Sequence, residues 1–121
     1  MSDDRWKKLK VWKIADELAR KVYLKTRNFP REELFGLASQ IRRAALSIPT
    51  NIVEGYSRRS DRELTQFLNI SFGSLAETKY LLYFSHSLNY LSDEDYKELE
   101  EGYDEFGKRF WTFFQRVKQP Q

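Results

Sequence analysis

The sequence predicts an all-α protein: an antiparallel up-down-up-down four-helix bundle with a long, proline-kinked second helix. Three observations carry this. Apolar residues recur at steps of three and four, and no stretch alternates like a strand. The segments between the periodic runs are short, which makes neighbouring helices antiparallel. The chain has 121 residues, 40% hydrophobic and 32% charged, which suits one domain over 1–121 with a real core and wide solvated helix faces.

The first helix is expected over about 9–27. Val11, Ile14, Leu18 and Val22 make its stripe, widened by Ala15, Ala19 and Tyr23. Asn28-Phe29-Pro30 ends it, because a residue before proline avoids helical angles. The second helix is expected over 31–58, about 28 residues and ~42 Å at 1.5 Å per residue. Pro30 stands at its start, Glu32 and Glu33 suit its positive N-terminal end, and Leu34, Leu37, Ile41, Ala44, Ala45, Ile48 and Ile52 form its apolar face.

Pro49 lies inside that helix and costs ~3 kcal/mol there. Either the helix stops near Ser47 and restarts with Thr50 as cap, or it continues with a kink. The apolar phase of Ile41, Ala45, Ile48 and Ile52 runs through the proline and favours one kinked helix. Small residues gather here (Ala44, Ala45, Ser47, Gly55) and on the third helix (Ser71, Gly73, Ser74, Ala76), which predicts close packing of the two. Asn51, Glu54 and Glu77, with Arg42 or Arg43, are candidates for a polar cluster at that contact.

The third helix is expected over 61–87, opened by a capping box of Ser60 and Glu63 and closed by Ser87-Leu88-Asn89. The fourth is expected over 93–118. Ser92 caps it, acids fill its first turn, and Leu99, Tyr103, Phe106, Phe110, Phe113 and Val117 form its stripe.

Chemistry is sparse. There is no cysteine, so disulfides and thiolate sites are excluded. The single histidine, His86, supplies neither a zinc set nor a di-iron bundle motif. The acids of the fourth helix read as a solvated face. No phosphate loop or nucleophile motif is present. No catalytic residue, cofactor or metal is expected. The first residues are charged and predict no secretory signal, and no window approaches the ~18 apolar residues of a membrane span, so a soluble cytoplasmic protein with no membrane partner is expected.

Charge gives the positive signal. The net charge is +3, divided as +6 over residues 1–65 and −3 over the remainder. Arg58, Arg59 and Arg62 crowd the turn between the second and third helices. Lys7, Lys8, Lys10 and Lys13 crowd the entry to the first, and an antiparallel bundle puts both clusters at one end. RNA or DNA phosphates are the expected ligand class. Aromatic content of 16% exceeds what one thin core needs, so some of it is expected between subunits, with Trp12 and Trp111 as candidates.

The stretches LASQIRRAALSIPTNIVEGYSRRSDRE (37–63), FLNISFGSLAETKYLL (67–82) and KVWKIADELARKVY (10–23) resemble a bacterial four-helix-bundle family. Its members are encoded in intervening sequences of ribosomal RNA genes, and it is related to the accessory variability protein of diversity-generating retroelements. The Gln-x-x-Arg-Ala, Ser-Ile-x-x-Asn-Ile-x-Glu-Gly and Gly-Ser-x-x-Glu spacings carry the match. The resemblance implies a homopentameric ring and no catalytic residues. For the retroelement branch it also implies a basic surface for nucleic acid and a reverse transcriptase partner. Arg42, Arg43, Arg58, Arg59 and Arg62 are the positions here that fit the nucleic-acid role. The alternative is a ring-shaped protein-interaction scaffold.

Overall fold

A computed structural model describes residues 4–118. Four helices form: α1 (Lys10–Lys25), α2 (Leu37–Tyr56), α3 (Asp61–Ser87) and α4 (Asp93–Lys118), with short 3-10 turns at Arg5–Lys8 and Arg31–Glu33. They touch around a ring, each packing on its two neighbours. Contacts climb one helix as they descend the next, which makes every neighbouring pair antiparallel. Lys25 late in α1 bonds Asp95 early in α4, while Leu18 lies against Gly102 further along. Gly55 faces Leu64 at the α2–α3 turn, and Ser71 donates to the Ile48 carbonyl at 2.9 Å deeper in. Phe72 stacks on Phe110 at one level of α3–α4, and His86 meets Asp93 at another.

The core follows the sequence stripes in the main, although Ile14, Phe113 and Val117 are only partly buried, Tyr23 is exposed, and Phe114 rather than Phe113 enters the core. Val11, Ala15, Leu18, Ala19 and Val22 come from α1, and Leu99, Tyr103, Phe106, Phe110 and Phe114 from α4. The contact between α2 and α3 is the most extensive in the bundle, and small, partly polar residues make it. Ser47 and Ser74 share a hydrogen bond at 2.8 Å, and Asn51 donates to the Ser47 carbonyl and hydroxyl. Buried Thr78 and Ser85 donate back to Ser74 and Leu81 carbonyls one turn earlier. These local bonds satisfy hydroxyls that burial would otherwise penalise. Of the polar cluster expected at this contact, Asn51 takes its place, but Glu54 pairs with Arg58 instead and Arg42 turns to α1.

The second helix is shorter than expected, 20 residues and ~30 Å rather than ~42 Å. It starts at Leu37. Arg31–Glu33 form a separate 3-10 turn that Pro30 precedes, and Gly36 breaks the path with φ −110° and ψ −110°. The Glu33 carboxylate then accepts the Leu37 N–H at 3.0 Å and serves as the cap. Leu34 consequently leaves the apolar face and is exposed. The first helix also trims to Lys10–Lys25, since Leu9 is extended and residues 5–8 coil separately. Across Pro49 α2 is one continuous helix, and Pro49 is buried. Around it, the Thr50 hydroxyl takes the Leu46 carbonyl, and Ser71 takes that of Ile48.

The predicted caps are present. The Glu63 N–H bonds the Ser60 hydroxyl, and the Asp95 N–H bonds that of Ser92. At the end of α3, Asn89 adopts φ 64°, while Tyr90 N–H reaches the Ser85 carbonyl and Asn89 N–H that of His86. That is a Schellman closure with asparagine in the left-handed position.

Candidate nucleic-acid interface

The end of the bundle that holds the α2–α3 turn also holds the N-terminal turn and the last turn of α4. A groove of about 470 Å³ opens between them, lined by Arg5, Arg58, Arg59 and Arg116 together with Gly55, Tyr56, Ser60, Asp61, Leu64 and Val117. Four guanidinium groups face a single carboxylate, that of Asp61, among its lining residues.

Each basic side chain is placed by the local fold. Gly55 lets α2 end against α3, because a Cβ there would stand 2.7 Å from Leu64 Cδ1 and 3.3 Å from Phe67 Cβ. This close approach brings the arginine turn down onto α3. Arg58 is steadied by Glu54 at 3.2 Å and lies 4.6 Å from the Phe67 ring centre. Arg5 lies 5.5 Å from the centre of the Tyr56 ring. Arg59 and Arg116 are exposed and make no hydrogen bond or ion pair among the described residues.

A second, more apolar groove of about 290 Å³ adjoins it, lined by Leu9, Lys10, Val11, Arg109, Thr112, Phe113 and Arg116. Arg116 borders both hollows.

The five sequence candidates divide. Arg58 and Arg59 line the first groove, and Arg62 is exposed just beyond it at the start of α3. Arg43 is exposed on α2, well along the helix from the groove. Arg42 is already engaged. Its Nε donates to the Thr26 hydroxyl at 2.8 Å, another guanidinium nitrogen donates to the Tyr23 carbonyl at 3.2 Å, and the group lies 5.0 Å from the Tyr23 ring centre. It closes the C-terminus of α1, where a cation suits the exposed carbonyls. Sequence reasoning passed over Arg5 and Arg116. The antiparallel register could have found them, since it returns the end of α4 to the start of α1.

Elsewhere several charged and phenolic groups are held in structural bonds. Lys21 and Lys25 pair with Glu98, and Lys25 also with Asp95. His86 Nε2 lies 2.7 Å from Asp93 and its ring stacks on Tyr96 at 4.4 Å. Burial, aided by a hydrogen bond to Glu100, pushes the Tyr96 phenol up to about 12. Burial, aided by Glu33, raises Tyr90. Both shifts keep the phenols neutral, which is the wrong direction for a nucleophile or base. No group of three or more His, Asp or Glu side chains is arranged to hold a metal among the described residues, and no described helix is long and apolar enough to cross a membrane.

The family model for the 23S rRNA-intervening sequence protein matches residues 7–111. The chain belongs to this family. A crystal structure of a Bacteroides thetaiotaomicron protein of unknown function from the S23 ribosomal protein family is similar to it. The TM-score is 0.77 at 26% identity, covering 87% of this chain and 95% of the other. Comparison with curated proteins gave no match. The 23S rRNA-intervening sequence protein match spans α1, α2, α3 and most of α4, so both grooves lie largely on the shared framework; Arg5 and Arg116 stand outside the matched residues.

Proposed function

We propose that this protein is a non-catalytic cytoplasmic module that binds RNA or DNA through the basic end of its bundle. The observation that carries the reading is the convergence of Arg5, Arg58, Arg59 and Arg116 on one groove that has one carboxylate, that of Asp61, among its described lining residues, with Glu54 paired to Arg58 at its edge. Gathered like charges repel one another, and an anion relieves that repulsion. Phosphate contacts of this kind fix a backbone without reading bases.

Fluorescence anisotropy with a labelled RNA over rising salt tests it. Binding at 50 mM salt is expected, with log K falling linearly in log salt by about 0.7 to 0.9 per phosphate contacted. Replacing Arg58, Arg59 and Arg62 together by glutamate is expected to abolish binding while the helical circular dichroism spectrum persists. Absence of binding at low salt, or binding indifferent to salt, overturns the reading.

A second reading, an oligomeric ring that serves as a protein-interaction scaffold, is favoured by α3. Gly73 is exposed in mid-helix, and a Cβ placed there meets nothing within 4 Å. Packing against α2, the role its neighbours Ser71 and Ser74 perform, therefore does not explain it. A glycine there costs ~1 kcal/mol against alanine. Ile70, Tyr80 and Tyr83 stand exposed on the same helix. A second copy of this chain packing closely there accounts for both, and a homopentamer closes such contacts into a ring. Of the tryptophans, Trp111 is more than half exposed, whereas Trp12 is half-buried under Trp6 at 4.8 Å. Light scattering is expected to report an oligomer that Gly73→Trp dissociates. A wild-type monomer at high concentration removes the ring.

A further inference from the structure

We infer that the two adjoining grooves form one track for a single nucleic-acid strand, with Arg116 as the positioning residue between them. The inference rests on the nucleic-acid reading above and narrows it to strand form.

Three features support it. First, the cations sit in hollows rather than on a ridge. The first groove is bounded by the α2–α3 turn, the N-terminal turn and the end of α4, and the second by α1 and α4. A lone sugar-phosphate backbone can bend into such a recess, whereas a duplex is stiff and presents a convex surface. Second, the grooves are continuous in charge. Arg59 and Arg58 stand in the first, Arg116 borders both, and Lys10 and Arg109 stand in the second. Arg109 is partly neutralised by Glu105 at 3.2 Å, so Arg116 and Lys10 carry the second half. Third, aromatic side chains line the path: Tyr56 in the first groove, its ring 5.5 Å from Arg5, and Phe113 in the second, stacked on Phe110, both half-buried. A positive groove flanked by ring surfaces is how sequence-tolerant single-strand binders hold their ligand.

The test compares a labelled 16-nucleotide unstructured RNA with the same sequence annealed to its complement, each titrated in anisotropy at 50 to 200 mM salt. The single strand is expected to bind at least tenfold more tightly. Arg116→Gln is expected to weaken single-strand binding three- to tenfold and to reduce the salt slope by about 0.7, one phosphate contact on a single strand. Lys10→Gln, at the far end of the track, is expected to act in the same direction. Equal or tighter duplex binding overturns the track and leaves the basic-end reading standing. Failure of both RNAs to bind overturns both. Single-strand binding unchanged by Arg116→Gln and Lys10→Gln, with the fold verified by circular dichroism, confines the ligand to the first groove and overturns the track.

Discussion

Tyr103 shows how little slack the core leaves for a polar atom. The side chain is fully buried, and its hydroxyl has no hydrogen-bond partner among the described residues. Burial alone drives its ionisation far upward. A buried hydroxyl without a partner forfeits its hydration and recovers nothing, a penalty of ~1–3 kcal/mol. Tyr103→Phe keeps the ring and removes that penalty. The expected result is a variant more stable by ~1 kcal/mol in urea unfolding, with an unchanged m-value. Lower stability would show that the hydroxyl is bonded in solution. At this scale the sequence was informative where bonds are local. Ser60 with Glu63, and Ser92 with its following acids, declared their caps because donor and acceptor lie three residues apart. Arg42 gave no such sign: its partners, the Tyr23 carbonyl and Thr26, belong to the preceding helix and its C-terminal cap.

Between elements, the α1–α4 seam is held by charge where the apolar stripe ends. Lys25 at the end of α1 reaches Asp95 and Glu98, and Lys21 joins Glu98. Hydrogen bonds, first to Asp95 and then to Glu98, raise the Lys25 pKa above its ordinary 10.5. Hydrogen bonds to Lys25 and then Lys21 lower Glu98 below its ordinary 4.5. The lysine's contribution is therefore complete below its unfolded value and is lost as pH rises through the raised folded value. That of Glu98 is complete above its unfolded value and is lost as pH falls through the depressed folded value. Lys25→Met is expected to destabilise the protein by ~0.2–1 kcal/mol, the range for partly exposed pairs. The loss should be flat across neutral pH and shrink on both flanks, as followed by thermal melts from pH 3 to 11. A loss that persists at pH 3 would point to packing of the lysine stem instead. The start of α2 illustrates what element-level reading misses. Leu34 keeps helical phase with Leu37 and Ile41, so periodicity extends the helix backwards. The break is decided by Gly36 and by Glu33 bonding the Leu37 N–H, a competition that periodicity does not register.

Across the whole molecule, charge is sorted by end, and that sorting was only half visible in the sequence. The Arg58–Arg62 run is contiguous and shows itself. Arg5 and Arg116 lie at opposite ends of the chain and meet only because the bundle brings α4 back to its beginning. Their convergence has a consequence that does not require a ligand. Exposed like charges at one end repel one another, and at low ionic strength little salt intervenes: the Debye length shortens from ~30 Å at 0.01 M to ~10 Å at 0.1 M. Replacing Arg59 and Arg116 together by glutamine removes two groups that have no ion-pair partner among the described residues. The fold is then expected to gain ~0.5 kcal/mol, roughly 2 °C in Tm, at 10 mM salt. The gain should fade as salt approaches 0.5 M. In the same variant, nucleic-acid affinity is expected to fall at least tenfold. A site kept for binding at the expense of stability gives that opposed pair of changes. If the double variant is instead less stable at low salt, the two arginines hold the fold together through partners in solution, and the groove is a structural junction rather than a binding surface.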